Sequence, residues 1–447
     1  MATTRFQNLL LSGAPLSPTD PFIVLTQDAA AKIANAKGTS GRIRMRFVPA
    51  EGMYVINAIT SSAGTTLPVD IPSEYRALKW DGERCSGQWI RKPQSEINLL
   101  HRYVISRTSR TLDYDAFRDM VPGVSDPGNH SGLLITHDPE LSPEAVQAGV
   151  HEFAGWNVER SGVSPIRIEV EPKVVGLLQL AGQWPIEQLA ATSVMVVGCG
   201  SIGSAAAEAL AGYGVGRVLL VDPDRFLWHN LLRHTLGPES VGRRKVHALR
   251  DRLNSQWPLQ NVEALPVDVV SQAHLVRPLM ADVDLVICAA DGIAPRRVVS
   301  HLARRAGKPA ILACVLDNGS IGELLRLRPT PRFGCLLCFR AHLDASGAMD
   351  AEADQELEYG TGRVHQPMTA VPPDLRLMGT LAAKAAVATL LESLYGDHTQ
   401  ALPGEHAVIG LRPGGDLAPP FDAKASAGIS WASIPQPREN CSSCGAA

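Results

Sequence analysis

The sequence has little net charge, few cysteines for its length and no long apolar run, and each shortage removes a class of protein. A formal net charge of −3, from 42 basic and 45 acidic residues, gives no global field for nucleic acid or an anionic membrane, and neither is expected as a partner. The longest apolar stretches are broken by Gly, Lys or Asp well short of the roughly 20 residues that cross a bilayer. The amino terminus, MATTRFQNLLLSGAPL, has one arginine and a short apolar run, less than the core of a secretory signal, so a soluble cytoplasmic protein is expected. Eight cysteines in 447 residues are too sparse for a disulfide scaffold, yet four of them form two C-x-x-C pairs, Cys335/Cys338 and Cys441/Cys444. Paired thiols point to metal.

The length exceeds that of a single hydrophobic core, so two domains are expected. Residues 1–170 mix short alternating stretches such as PFIVLT and GLLITH with many prolines, and read as a smaller α+β domain. Residues 171–447 read differently: apolar strand, glycine turn and amphipathic helix succeed one another, the sequence form of a doubly wound, Rossmann-like, mainly parallel α/β sheet. Strands are expected at SVMVVG, RVLLVD, NVEALPVDVV, DLVICAA and PAILACV. Helices are expected after Gly203, around Ser240 to Leu253 and around Ile293 to Ala306. The second of these leaves Arg243, Arg244 and Lys245 towards solvent or a ligand. A long helix starts after Pro373, with Asp374 as its cap. Residues 339–371, acidic in the middle and without apolar periodicity, read as a long crossover loop.

Gly198, Gly200 and Gly203 in GCGSIG come after a strand and open a helix, which brings backbone N–H groups and the positive helix end against a nucleotide's phosphates. Asp222, ending the next strand, stands where a ribose-binding acid would stand for NAD as well. The segment beyond that strand is more distinctive: Asp224, Asn230, Arg233 and Lys245 occur in order in VDPDRFLWHNLLRHTLGPESVGRRKVHAL. This block resembles the ThiF/MoeB and ubiquitin-activating family, whose pattern is strand, D-x-D, a spacer, N-L-x-R-Q and a lysine in the next helix. The resemblance covers roughly Thr192 to Cys338 plus the terminal cysteines.

It implies a ThiF-type adenylation domain that joins the C-terminal carboxylate of a ubiquitin-like protein or peptide to the α-phosphate of ATP, with release of pyrophosphate. Arg233 and Lys245 would neutralise the triphosphate, Asp222 would hold the ribose and Asn230 would bond near the phosphates. Asp291, in DLVICAADG, matches the family's magnesium-binding acid. The four paired cysteines would hold a structural zinc that ties the carboxy-terminal tail to the domain. Cys199, Cys288 and Cys314 read as buried apolar residues, and Cys85 as an ordinary cysteine. A bacterial conjugation or sulfur-transfer pathway, a ubiquitin-conjugating-like partner and a homodimer are expected. The competing readings are an NAD-dependent oxidoreductase and an inactive scaffold of the same fold.

Three departures from the family matter. Residues 339–371 contain no cysteine, so a standard loop thioester is not expected; the adenylate would pass to an external nucleophile, to another side chain, for which Thr369 near His365 is the candidate, or to Cys85 of the first domain. The lead-in VVGLLQLAGQWPIEQLAATS lacks the arginine that reaches the partner's nucleotide in homodimeric relatives. In the first domain, HSGLLITHDPELSPEAV resembles the His-rich loop of JAB-type isopeptidases without its second close histidine or its later Asp, so His130 and His137 read as structural. That domain is expected to serve as a docking surface.

Overall fold

The computed structural model describes residues 10–11, 20–72, 75–79, 82–107, 111–172, 176–330, 332–348, 370–413 and 417–445. The chain divides into two compact units, Met1–Val175 and Gly176–Ala447.

The first unit contains β1 (Leu10–Leu11), β2 (Phe22–Leu25), α1 (Gln27–Asn35), β3 (Ser40–Val48), β4 (Met53–Ser61), β5 (Thr66–Pro68), β6 (Glu83–Arg91), α2 (Ile97–Ile105), β7 (Thr111–Leu112), α3 (Tyr114–Met120), β8 (Gly132–His137), α4 (Pro143–Gln147), β9 (Phe153–Glu159) and β10 (Gly162–Val170). Strand pairing runs β10-β2-β4-β3-β6-β8-β9, and β9 pairs back onto β10. The seven strands thus form a closed ring, which removes most of the open edges that a sheet would otherwise expose. Alternation along the strands sorts their side chains. Ile43 and Met45 of β3 join Trp89, Ile135, Phe153 and the α1 residues Ala29 and Ile33 in one core. A second core packs α2 and α3, through Leu100, Val104 and Phe117, on Leu134, Trp156 and Val158.

The second unit contains α5 (Ile186–Ala190), β11 (Ser193–Val197), α6 (Ser201–Tyr213), β12 (Arg217–Val221), α7 (Lys245–Gln256), β13 (Asn261–Leu265), α8 (Ala273–Ala281), β14 (Leu285–Cys288), α9 (Ile293–Arg305), β15 (Ala310–Leu316), β16 (Ile321–Leu327), α10 (Leu336–Ala345), α11 (Pro372–Tyr395), β17 (His406–Gly410) and β18 (Ile429–Ala432). They build a sheet in the order β13-β12-β11-β14-β15-β16-β17-β18. The first five strands are mutually parallel, and the last three join antiparallel. The fold is therefore a Rossmann-like α/β domain with a mainly parallel sheet, preceded by a smaller unit that mixes strands and helices. Successive connections run outward from β11 in opposite directions, to β12 on one side and to β14 on the other, and leave a crevice at the carboxyl ends of these strands.

Several expected boundaries move. The helix expected from Ser240 begins at Lys245, because Pro238–Ser240 forms a separate 3₁₀ turn and Gly242 takes φ +89°. The helix expected after Gly203 already starts at Ser201. Asp374 lies in the first turn of α11 and Val371 caps it without a side-chain bond. The first residues of the expected crossover loop are helical, since Leu336, Phe339 and Leu343 recur at helical spacing and are buried. Thr369 and His365 lie outside the described residues. Among the described residues, α11 is long and apolar enough to span a bilayer; here it is a core helix, with Leu375, Met378, Ala382, Ala386 and Leu390 fully buried.

Candidate nucleotide and metal sites

The turn between β11 and α6 is built from two glycines that nothing larger could replace. Gly198 has φ +84°, and a Cβ there would lie 2.4 Å from the Ala290 backbone at the end of β14. A Cβ on Gly203 would lie 1.8 Å from the Gly198 carbonyl oxygen. At these two positions the close backbone approach leaves no room for a side chain. Gly200 caps α6 with no side-chain bond, which leaves the first-turn N–H groups of a thirteen-residue helix for an anion.

Asp222 is buried and acts on the turn itself. One carboxylate oxygen accepts the Cys199 N–H at 2.7 Å and the other the Asp224 N–H at 2.8 Å. Burial raises its pKa, while the Lys245 charge and the two N–H groups pull it down. Each oxygen keeps a second lone pair. Asp224, whose side chain is 63% exposed, accepts from Lys245 Nζ at 2.8 Å. Lys245, expected to face solvent or a ligand, is buried at the start of α7. Burial works against its charge, but Asp222, Asp224 and Asp291 outweigh it, and its pKa lies above the ordinary lysine value. Arg243 is exposed and pairs with Asp251, and Arg244 donates to the Pro223 carbonyl.

Asn230 is buried, and its Oδ1 accepts the Leu227 N–H at 2.9 Å. It shapes the 3₁₀ turn that delivers Arg233, which is half-buried. Asp291 lies between β14 and α9. The residue is exposed, with the surrounding protein withdrawing part of the solvent from its carboxyl. That desolvation raises its pKa; the charges of Arg233 and Lys245 lower it, and Asp222 and Asp224 push it up again. All five charged groups named from the sequence thus feel one another at the carboxyl ends of β11, β12 and β14. The carboxylates of Asp222, Asp224 and Asp291 together are a donor set suited to a hard divalent cation.

His234 was not singled out by its sequence position, although it stands where the N-L-x-R-Q pattern has glutamine. It is buried, its Nδ1 accepts the Leu236 N–H at 3.0 Å, and its Nε2–H donates to the Cys199 carbonyl at 2.8 Å. Cys199 is therefore held at both ends, by Asp222 on its N–H and by His234 on its carbonyl. Burial lowers the His234 pKa to about 4, with Lys245, Arg252 and Arg233 adding to the effect and the Cys199 carbonyl opposing it.

The four thiols of Cys335, Cys338, Cys441 and Cys444 are buried, with their sulfurs within 4.8 Å of one another. The separations of 3.5 to 3.9 Å between contacting sulfurs fit the roughly 3.8 Å edge of a tetrahedron with metal–sulfur bonds of about 2.3 Å. Around them, the Arg438 N–H donates to Cys338 Sγ, Arg332 donates to the Cys444 carbonyl, and His301 Nδ1 meets Ser443 Oγ at 3.0 Å. Cys199, Cys288 and Cys314 are buried in the second unit. Cys85 is half-buried, and burial raises its pKa. His137 is buried against Phe153 at 4.5 Å and, like His101, has its pKa lowered to about 4 by burial.

Residues 174–407 match the model of the ThiF family. The chain is 37% identical over 130 residues to a sulfur carrier protein adenylyltransferase of Thermus thermophilus, a match covering 29% of this chain and 47% of that protein. It is 26% identical over 245 residues to ubiquitin-like modifier-activating enzyme 5 of Dictyostelium discoideum, covering 52% of this chain and 61% of the relative. In each case the chain spans less than two thirds of the relative. A solved structure of MccB from E. coli is also similar, at 20% identity and a TM-score of 0.44, over 58% of this chain and 67% of that one.

Proposed function

This chain belongs to the ThiF family, and from that membership we propose that it adenylates the C-terminal carboxylate of a ubiquitin-like protein or peptide, using ATP and releasing pyrophosphate. The observation that carries the reading is the convergence of Asp222, Asp224, Arg233, Lys245 and Asp291 beside the glycine turn and the uncapped amino end of α6. Two anions, a carboxylate and a triphosphate, must approach each other in this reaction. The turn N–H groups and the helix end would receive phosphate oxygens, while Lys245 and Arg233 stabilise charge as it moves onto the leaving pyrophosphate. Lys245 is held by Asp224 and is buried, so little reorganisation is needed when charge develops.

Asp291 and Asp224 would hold magnesium, which offsets triphosphate charge when bound. Asp222 would meet the ribose with its remaining lone pairs while keeping the turn in place. The four cysteines would hold zinc in a closed structural site. With no cysteine in residues 339–371, the adenylate passes either to an external nucleophile or to a side chain other than a loop thiol. Thr369 remains the candidate acceptor on the chain itself. Within the same proposal stand a cytoplasmic setting, a bacterial conjugation or sulfur-transfer pathway, a conjugating-like partner and a homodimer. Trp228 and Leu232, 74% and 79% exposed beside the site, support a protein-contacting surface there.

ATP–pyrophosphate exchange tests the reaction. Exchange should appear with a small protein ending in glycine and vanish in Asp291→Ala. Exchange that persists in this variant would remove the magnesium assignment, and absence of exchange with every candidate carboxylate would remove the adenylation reading.

A further inference from the structure

The first unit carries an arginine-lined trough that the adenylation reading does not use. On β3, Arg42, Arg44 and Arg46 alternate with the buried Ile43 and Met45, so all three arginines lie on the outer face of the ring. The pairing of β3 with β6 sets Arg42 beside Gln88, Arg44 beside Ser86 and Arg46 directly opposite Arg84. Arg42, Arg44 and Arg84 are exposed. None of these three has a salt bridge or side-chain hydrogen bond among the described residues. Among the described residues nothing acidic on β6 stands opposite Arg42 or Arg44.

The face is also concave. A trough of about 800 Å³ runs over β3, β4, β6 and β8, with Arg42 and Arg44 among its lining. One wall is the β4–β5 hairpin, where Thr60 Oγ1 and Thr66 Oγ1 are 2.9 Å apart. The other is the segment after α3, fixed by Gln88, which donates to the Gly123 carbonyl at 2.7 Å and accepts the Ser125 N–H at 2.9 Å. Asp126, the acidic residue of the lining, is bonded to Arg160.

We propose that this trough binds an extended acidic peptide segment of a partner protein. Alternate residues on a strand lie about 7 Å apart, so Arg42 and Arg44 match carboxylates at positions i and i+2 of an extended chain, and the serine and threonine hydroxyls suit its backbone. Arginine binds carboxylates through paired N–H groups. Single-stranded nucleic acid is the less fitting polyanion, because base stacking on aromatic rings contributes much of its binding and, among the described residues, the trough lining has no aromatic side chain. Peptide binding here is independent of adenylation in the second unit.

The test uses the full chain and fluorescein-labelled peptides of seven residues. One alternates glutamate with serine, one carries the same residues with the glutamates in a block, and one replaces glutamate by glutamine; an oligo-dT of similar charge is run beside them. The alternating and block peptides, which both present glutamates at i and i+2, should both bind, weaken with salt, and lose at least tenfold in affinity in Arg42→Glu/Arg44→Glu. The milder Arg42→Gln/Arg44→Gln should lose about threefold. A melting temperature equal to that of the parent shows that each variant is folded, and ATP–pyrophosphate exchange should be unchanged in both. Equal affinity of parent and folded variants overturns the proposal, as does equal binding of the glutamine peptide. Tighter binding of oligo-dT than of the alternating peptide assigns the trough to nucleic acid and overturns it too.

Discussion

His234 donates to one carbonyl of the glycine turn and accepts from the next segment of chain, and glutamine can reproduce both bonds with its amide. His234→Gln should therefore leave the KM for ATP within about threefold of the parent. His234→Ala, which leaves the buried Cys199 carbonyl and Leu236 N–H without partners, should raise it about tenfold and cost about 2 kcal/mol of stability. Equal kinetics for the two variants would deny the residue a positioning role. The same histidine makes stability depend on acid. Its folded-state pKa of about 4 lies below the ordinary 6.5, so the unfolded chain takes up its proton first as pH falls. The stability held by neutral His234 is complete above pH 6.5 and drains between pH 6.5 and 4, by on the order of 3 kcal/mol. Urea titrations at pH 7 and pH 5 should show a smaller difference for His234→Gln than for the parent. His101 and His137, also lowered to about 4, contribute the same sign in the first unit and remain in the variant.

At the scale of elements, α6 and α11 pack closely because their contact is made of small residues. A Cβ on Gly379 of α11 would stand 2.4 Å from the Ile202 carbonyl oxygen and 2.7 Å from Ala205 Cβ. Ile202 lies in the first turn of α6, directly after the glycine turn. Gly379→Ala should thus do two things: destabilise the second unit by about 1–3 kcal/mol through overpacking, and weaken ATP binding by displacing the amino end of α6. A thermal melt and nucleotide titration together check this, and a stability loss with unchanged ATP affinity would separate the helix contact from the site. The sheet is fastened to the other end of α11 by charge. Arg326 on β16 and Arg328 just beyond its end share Glu392 and Glu405, with contacts of 2.6 to 3.2 Å. Such pairs specify how the helix lies more than they add stability, since burial offsets much of their attraction.

For the molecule as a whole, the four cysteines bridge a long sequence separation in the second unit. Cys335 and Cys338 at the start of α10 meet Cys441 and Cys444, 106 residues later in each contacting pair. Metal held there restrains that whole span in the folded state and contributes folding free energy directly. One zinc per chain is expected by elemental analysis. Chelation, or Cys441→Ser, should lower the melting temperature of the second unit while the trough on the first unit still binds its peptide. Zinc content of zero in active, stable protein would replace the metal reading with four packed thiols.

Much of the second unit could be read along the chain, because its signals are local. An apolar strand, a glycine turn and a helix are neighbours in sequence, and the order Asp222, Asp224, Asn230, Arg233, Lys245 lies within one connection. Helix starts were less legible: α7 begins at Lys245 because a 3₁₀ turn and a left-handed glycine precede it, which apolar periodicity does not register. Three features were decided by tertiary structure alone. The ring of the first unit depends on β10 pairing with β2 across more than a hundred residues, a contact no local pattern encodes. The arginine row acquires meaning only when the β3–β6 register sets Arg42 and Arg44 opposite Gln88 and Ser86 over the trough. His234 sat unremarked in the sequence because its partner is a backbone carbonyl, and backbone carbonyls carry no residue identity to read. Sequence by itself determined which chemical groups the protein carries and the order of its local elements; the folded chain decided which groups meet, because burial and long-range pairing assign each side chain its partner.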